Sequence, residues 1–127
     1  MTTKYTIVSI DDSKAVHAFL DRCLSEGPGQ DFCFLHAMGV QEGLVMIADN
    51  KNRVAAVLLD WEMPDITGYD GLPMILNKWP DLKVIILTSK NNPDDIMKML
   101  ERGAKEYMMK PFTPDILFDK LNTVIAG

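Results

Sequence analysis

Residues 54–68, VAAVLLDWEMPDITG, run from an unbroken apolar series into a carboxylate, Asp60, and then into a Pro-Asp turn. An apolar run this short, with no polar residue at alternate positions, reads as a strand buried on both faces, the environment of a parallel sheet covered by helices. Asp60 then stands at the carboxyl end of a central strand. In open α/β sheets that edge is where ligands bind.

The rest of the chain alternates to match. Tyr5–Ile10 reads as a first strand ending in Asp11 and Asp12, and Val16, Phe19, Leu20, Cys23 and Leu24 follow with helical spacing, capped by Asp12 or Ser13. Gly27-Pro28-Gly29 is expected to end that helix, and residues 32–35 to form a short second strand. Val40, Leu44, Ile47 and Ala48 outline a second helix, and Leu72, Ile75, Leu76 and Trp79 a third that Pro80-Asp81 closes. Residues 84–87 are a fourth strand, ending in Thr88-Ser89-Lys90. Asn92, Pro93, Asp94 and Asp95 are a strong helix start, with cap, first-position proline and acids against the positive end of the dipole. Glu106–Met109 is a fifth strand, and Thr113-Pro114-Asp115 opens a final helix. Strands and helices in alternation mean a doubly wound parallel α/β sheet with helices on both faces.

The totals agree with a single domain over 1–127, large enough for a core without disulfides. A net charge of -5 argues against direct nucleic-acid binding, which needs a basic face. Cys23 and Cys33 fall at apolar positions and are expected to be reduced, buried thiols. Acidic residues come too early for a signal peptide and no apolar run approaches a membrane span, so a cytoplasmic protein without membrane insertion is expected.

Four strands end in polar residues: Asp11 and Asp12, Asp60, Thr88 and Ser89, and Lys110. In a parallel sheet those ends share one edge, so the residues should share one pocket. Three carboxylates in a small volume raise one another's pKa unless a cation lies among them. Oxygen ligands suit Mg²⁺, whereas a Zn²⁺ site would want a Cys/His cluster that the chain lacks. A hydroxyl from Thr88 and an ammonium from Lys110 complete a set that fits a phosphoryl group, and carboxylates can accept one covalently. Taken singly, Asp12 is a helix cap or turn former and Lys110 a solvated lysine. Chance placement of all of them at one edge is the weaker explanation.

These residues are also where the chain resembles the receiver domain of bacterial two-component response regulators, the CheY-like domain. The resemblance rests on the pair Asp11-Asp12, the D-x-x-M-P-x-x-x-G motif from Asp60 through Met63-Pro64 to Gly68, Thr88 after the fourth strand, and Lys110-Pro111 after the fifth. It spans essentially the whole chain and implies a flavodoxin-like (βα)5 fold with strand order 2-1-3-4-5. It further implies that Asp60 is the phosphoacceptor, served by a sensor histidine kinase or histidine phosphotransfer protein. Mg²⁺ would be bound by Asp12, Asp60 and the backbone carbonyl of Glu62, with Asp11 helping through water. Lys110 and Thr88 would bind phosphoryl oxygens, the Lys110-Pro111 bond would be cis, and Tyr107 would be an aromatic switch coupled to Thr88. Read alone, Tyr107 is equally a packed strand aromatic.

Ser89 departs from the small Ala or Gly usual after the switch threonine. By the same resemblance Glu62 and Lys90 would occupy positions that tune phosphoryl lifetime, and we expect them to pair across the pocket mouth. A downstream protein target is implied on the face of the fourth helix, fifth strand and fifth helix, residues 93–126, where Met97, Met99, Met108 and Met109 could be a repacking surface or ordinary core. His17 reads as a solvated helix residue. Two other readings remain: a receiver excised from a longer regulator, and a Mg²⁺-dependent phosphatase of the haloacid dehalogenase type. The phosphatase reading wants its nucleophile on the first strand with D-x-D spacing. A flavodoxin is weaker, since Asp11-Asp12 would repel the flavin phosphate.

Overall fold

Each apolar run is a strand in the computed structural model, which describes residues 4–127. The strands are β1 (Tyr5–Ile10), β2 (Phe32–Ala37), β3 (Val54–Asp60), β4 (Val84–Thr88) and β5 (Glu106–Met109). All neighbours pair in parallel, in the order β2-β1-β3-β4-β5. The intervening helices are α1 (Lys14–Cys23), α2 (Val40–Asp49), α3 (Gly68–Lys78), α4 (Pro93–Glu101) and α5 (Pro114–Ala126). This is the expected flavodoxin-like (βα)5 sheet. Residues 1–3, which the single-domain expectation includes, lie outside the described residues.

Strand periodicity splits the core in two. On β3, Ala56 and Leu58 point to one face, where they join Ile7, Leu20, Leu117 and Leu121 beneath α1 and α5. Val57 and Leu59 point to the other, with Val40, Ile47, Leu72, Ile75 and Met99 beneath α2, α3 and α4. Both faces are dry, so an alternating polar pattern was never available to the central strands. Met99 and Met108 are core residues, whereas Met97 is exposed and Met109 half-buried. Cys23 is buried, which pushes its thiol pKa up, and Cys33 is half-buried; both are free thiols.

Side-chain caps start four of the helices. Ser13, Thr67, Asn92 and Thr113 each accept a hydrogen bond from a backbone N–H of the first turn. Three boundaries differ from expectation. Helix α1 stops at Cys23, and Gly27–Asp31 forms its own 3-10 turn with Gly27 at φ +50°, so Gly-Pro-Gly starts a turn and does not end the helix. Strand β2 continues through His36 to Ala37, because β1 offers it partners as far as Ile10. Helix α3 begins at Gly68 and carries Pro73 internally, upstream of most of the residues whose period marks it.

Candidate functional site

Asp60 is the last residue of β3 and is 3% exposed. Beside it β1 ends at Ile10, so Asp11 and Asp12 emerge at the same sheet edge. Carboxylate oxygens of Asp11, Asp12 and Asp60 lie within 4.8 Å of one another, with Asp11 and Asp60 buried and Asp12 open to solvent. Lys110 follows β5 and precedes Pro111 through a cis peptide bond. Its ammonium donates to Asp11 Oδ2 at 2.9 Å and to Asp60 Oδ1 at 3.0 Å. Thus residues from the first, third and fifth strand ends meet, as expected.

The backbone around this cluster is tied down. Ser13 N–H donates to Asp11 Oδ1 (2.9 Å), Trp61 N–H to the Leu87 carbonyl (2.9 Å), and Lys110 N–H to the Thr88 carbonyl (2.9 Å). Gly68 N–H donates to the Trp61 carbonyl at 2.8 Å. A Cβ at Gly68 would collide with the Asp60 carbonyl oxygen and, at 2.8 Å, with the Trp61 Cα. The glycine of the D-x-x-M-P-x-x-x-G motif is therefore a steric requirement for folding the loop against the end of β3.

Burial, reinforced by the Asp11 charge, pushes the Asp60 pKa up to about 6 against the opposing Lys110 contact and the Glu62 amide. For Lys110, burial alone would favour loss of the proton, but its hydrogen bonds to Asp11 and Asp60 and their charges outweigh it and raise its pKa. One ammonium among three ionised carboxylates leaves two negative charges unanswered. An all-oxygen donor set of that charge, with one member facing water, fits a hard divalent cation such as Mg²⁺.

Thr88 ends β4 and is buried; its Oγ1 accepts the Lys90 N–H at 2.8 Å. Tyr107 lies half-buried on β5, with Lys120 Nζ 5.0 Å above its ring. The expected pairing of Glu62 with Lys90 is corrected. Glu62 Oε1 instead accepts from Ser89 Oγ at 2.9 Å, and Lys90 Nζ sits 5.6 Å over the Trp61 ring. A hydroxyl one residue nearer reaches the carboxylate more easily than a long lysine does, and the indole face offers that lysine a partner. His17 is corrected too: it is buried, 6% exposed, and hydrogen-bonded at both ring nitrogens. Sequence reasoning also missed the stack beside the site, in which Trp61 lies on Tyr69 (5.9 Å) and Tyr69 under the Arg102 guanidinium (3.7 Å).

The family model for the response regulator receiver domain matches residues 7–122. The chain belongs to the response regulator receiver domain family. Among its relatives, this receiver domain is 27% identical over 123 residues to the chemotaxis protein CheY1 of Helicobacter pylori strain J99, covering 94% of this chain and 96% of that one. It is 32% identical over 115 residues to the sensor histidine kinase CheAY of H. pylori strain 26695, covering 89% of this chain and 14% of the kinase. A response regulator receiver domain protein from Clostridium thermocellum superposes with a TM-score of 0.85 at 30% identity, covering 95% and 94% of the two chains. Membership places this receiver domain among signalling proteins and does not favour the phosphatase reading. Among the described residues no helix is long and apolar enough to cross a membrane.

Proposed function

We propose that residues 1–127 act as one Mg²⁺-dependent phosphoacceptor unit, in which Asp60 takes a phosphoryl group from a phosphohistidine and the change is read by a partner protein. The observation that carries this is the buried Asp60 carboxylate, raised in pKa to about 6 and still ionised near neutral pH, held 3.0 Å from Lys110 beside Asp11 and Asp12. In the transfer, an Asp60 oxygen forms the O–P bond as the N–P bond of the donor breaks and imidazole leaves. Lys110 balances charge on the phosphoryl oxygens, and Thr88 swings from the Lys90 amide to donate to one of them. Asp11, Asp12, Asp60 and the Glu62 carbonyl would hold Mg²⁺, which supplies the countercharge that keeps Asp60 ionised and neutralises the product. Loss of the group is attack by water on phosphorus, with Asp60 as leaving carboxylate, so the domain promotes only its own phosphorylation and dephosphorylation.

The phosphoryl donor is a sensor histidine kinase or histidine phosphotransfer protein, a reading supported by the similarity to part of a sensor histidine kinase. The output is a protein bound on the α4–β5–α5 face, where Tyr107 rearranges once Thr88 moves. Glu62, restrained by Ser89 at the mouth, together with Lys90, obstructs the attacking water. Replacing Glu62 with Ala is expected to speed phosphate loss severalfold; an unchanged rate would remove Glu62 from this role. The reading as a whole is tested by tryptophan fluorescence, because Trp61 adjoins Asp60. The signal should change with Mg²⁺, change further with acetyl phosphate, and lose the second change in Asp60→Asn, with Trp79 as constant background. A flat response to acetyl phosphate would contradict it.

A further inference from the structure

Five polar side chains are buried among the described residues: Ser9, Asp11, His17, Asp60 and Thr88. Three belong to the acidic site, and the other two, Ser9 and His17, are bonded to each other. His17 Nε2 lies 2.7 Å from the backbone carbonyl oxygen of Asp11. A carbonyl has no proton to give, so Nε2 is the donor, and in the neutral ring Nδ1 accepts from the Ser9 hydroxyl at 3.3 Å. The His36 ring packs against His17 at 4.4 Å, and His36 is itself held by Asp21 at 2.8 Å. The imidazole is therefore fixed in position and in tautomer.

Asp11 is where β1 has just run out. Its N–H still bonds to β2 through the Ala37 carbonyl at 3.0 Å, but among the described residues no backbone N–H answers its own carbonyl, and His17 does so instead. We propose that His17 is a positioning residue that sets the Asp12 carboxylate beside that of Asp11 for the divalent cation, by holding the Asp11 carbonyl from the first turns of α1. The inference rests on the Mg²⁺-dependent reading above. Without the imidazole the carbonyl is a buried acceptor lacking a partner, and the peptide joining Asp11 to Asp12 is free to pivot. The Asp11 carboxylate, with Ser13 N–H and Lys110 on it, would stay while Asp12 lost its register. Groups that orient metal ligands in this way typically change metal affinity by about 10- to 100-fold when removed, without touching the ion.

The test is the Mg²⁺ dissociation constant of the unphosphorylated protein, read from tryptophan fluorescence at a temperature where every variant is folded. His17→Leu is expected to weaken Mg²⁺ binding about tenfold, and His17→Gln, whose amide nitrogen can replace Nε2, to recover most of it. Leu20→Ala, which opens the core on the same helix, should lower stability and leave the affinity unchanged. Long-range ¹H–¹⁵N spectra of the metal-free protein should show His17 protonated at Nε2 alone. Wild-type affinity in His17→Leu, an equal loss in Leu20→Ala, or a neutral ring protonated at Nδ1 in place of Nε2 would overturn the proposal. If His17→Leu does not fold, Ser9→Ala carries the test: it releases the tautomer and should weaken binding severalfold, and unchanged affinity would overturn the role. No Mg²⁺ response in the wild type would remove the metal reading itself, a different failure from normal binding that ignores His17.

Discussion

Asp60 is held at the end of β3 by packing that ignores its charge, with Asp11 and Asp12 beside it and Lys110 the ammonium that answers them. Its pKa of about 6 lies above the ordinary 3.8, so the folded state binds this proton more tightly than the unfolded chain does. Stability contributed by the protonated form is complete below about pH 4 and is lost as pH rises through about 6. The shift corresponds to an upper bound of ~3 kcal/mol. In chelator, Asp60→Asn should therefore gain stability relative to wild type between pH 4.5 and 7.5, by about 1 to 3 kcal/mol in urea unfolding, and Mg²⁺ should shrink the difference. No gain on raising the pH would mean that Lys110 already balances the site. The gathering of Asp11, Asp12, Asp60 and Lys110 at one edge was legible because each follows or ends an apolar strand run. Glu62 was not, because its choice of Ser89 over Lys90 is a contest between flexible side chains that spacing cannot decide.

At the scale of elements, loops placed by steric fit bring the residues together. Gly68→Ala is expected to cost about 1 to 3 kcal/mol, since the new methyl meets backbone atoms of Asp60 and Trp61 that have nowhere to go, and to slow phosphorylation as the end of β3 shifts. Chemical denaturation with a phosphorylation time course checks both. Thr113→Ala should cost about 1 kcal/mol by losing the cap on the Ile116 amide, with the acidic site untouched. Helix starts could be read from their caps, and strands from their apolar runs. The extension of β2 could not, because it depends on what β1 offers across the sheet, nor could the 3-10 turn over Gly27–Asp31, which packs against β2 and the distant α5. His17 was misread for a related reason. Its helix spacing sets it beside the apolar stripe, and only the approach of α1 to the ends of β1 and β2 buries it.

For the whole molecule, a sheet with both faces dry leaves its carboxyl edge as the place where charge can gather, and the strand order puts β1 and β4 on either side of β3 there. That architecture was legible from alternation, and its strand order from the resemblance. In the proposed switch, phosphorylation alters hydrogen exchange more over residues 93–126 than over α2, which lies on the far side of the sheet order; equal changes in both would argue against an α4–β5–α5 output face. Everything in this switch depends on Asp60 accepting a phosphoryl group. The direct measurement is intact mass followed by peptide mapping, after incubation with acetyl phosphate and Mg²⁺. One added phosphoryl group is expected, on Asp60, absent in Asp60→Asn and absent when Mg²⁺ is chelated. An unmodified wild type, or a phosphoryl group on any other residue, would contradict it.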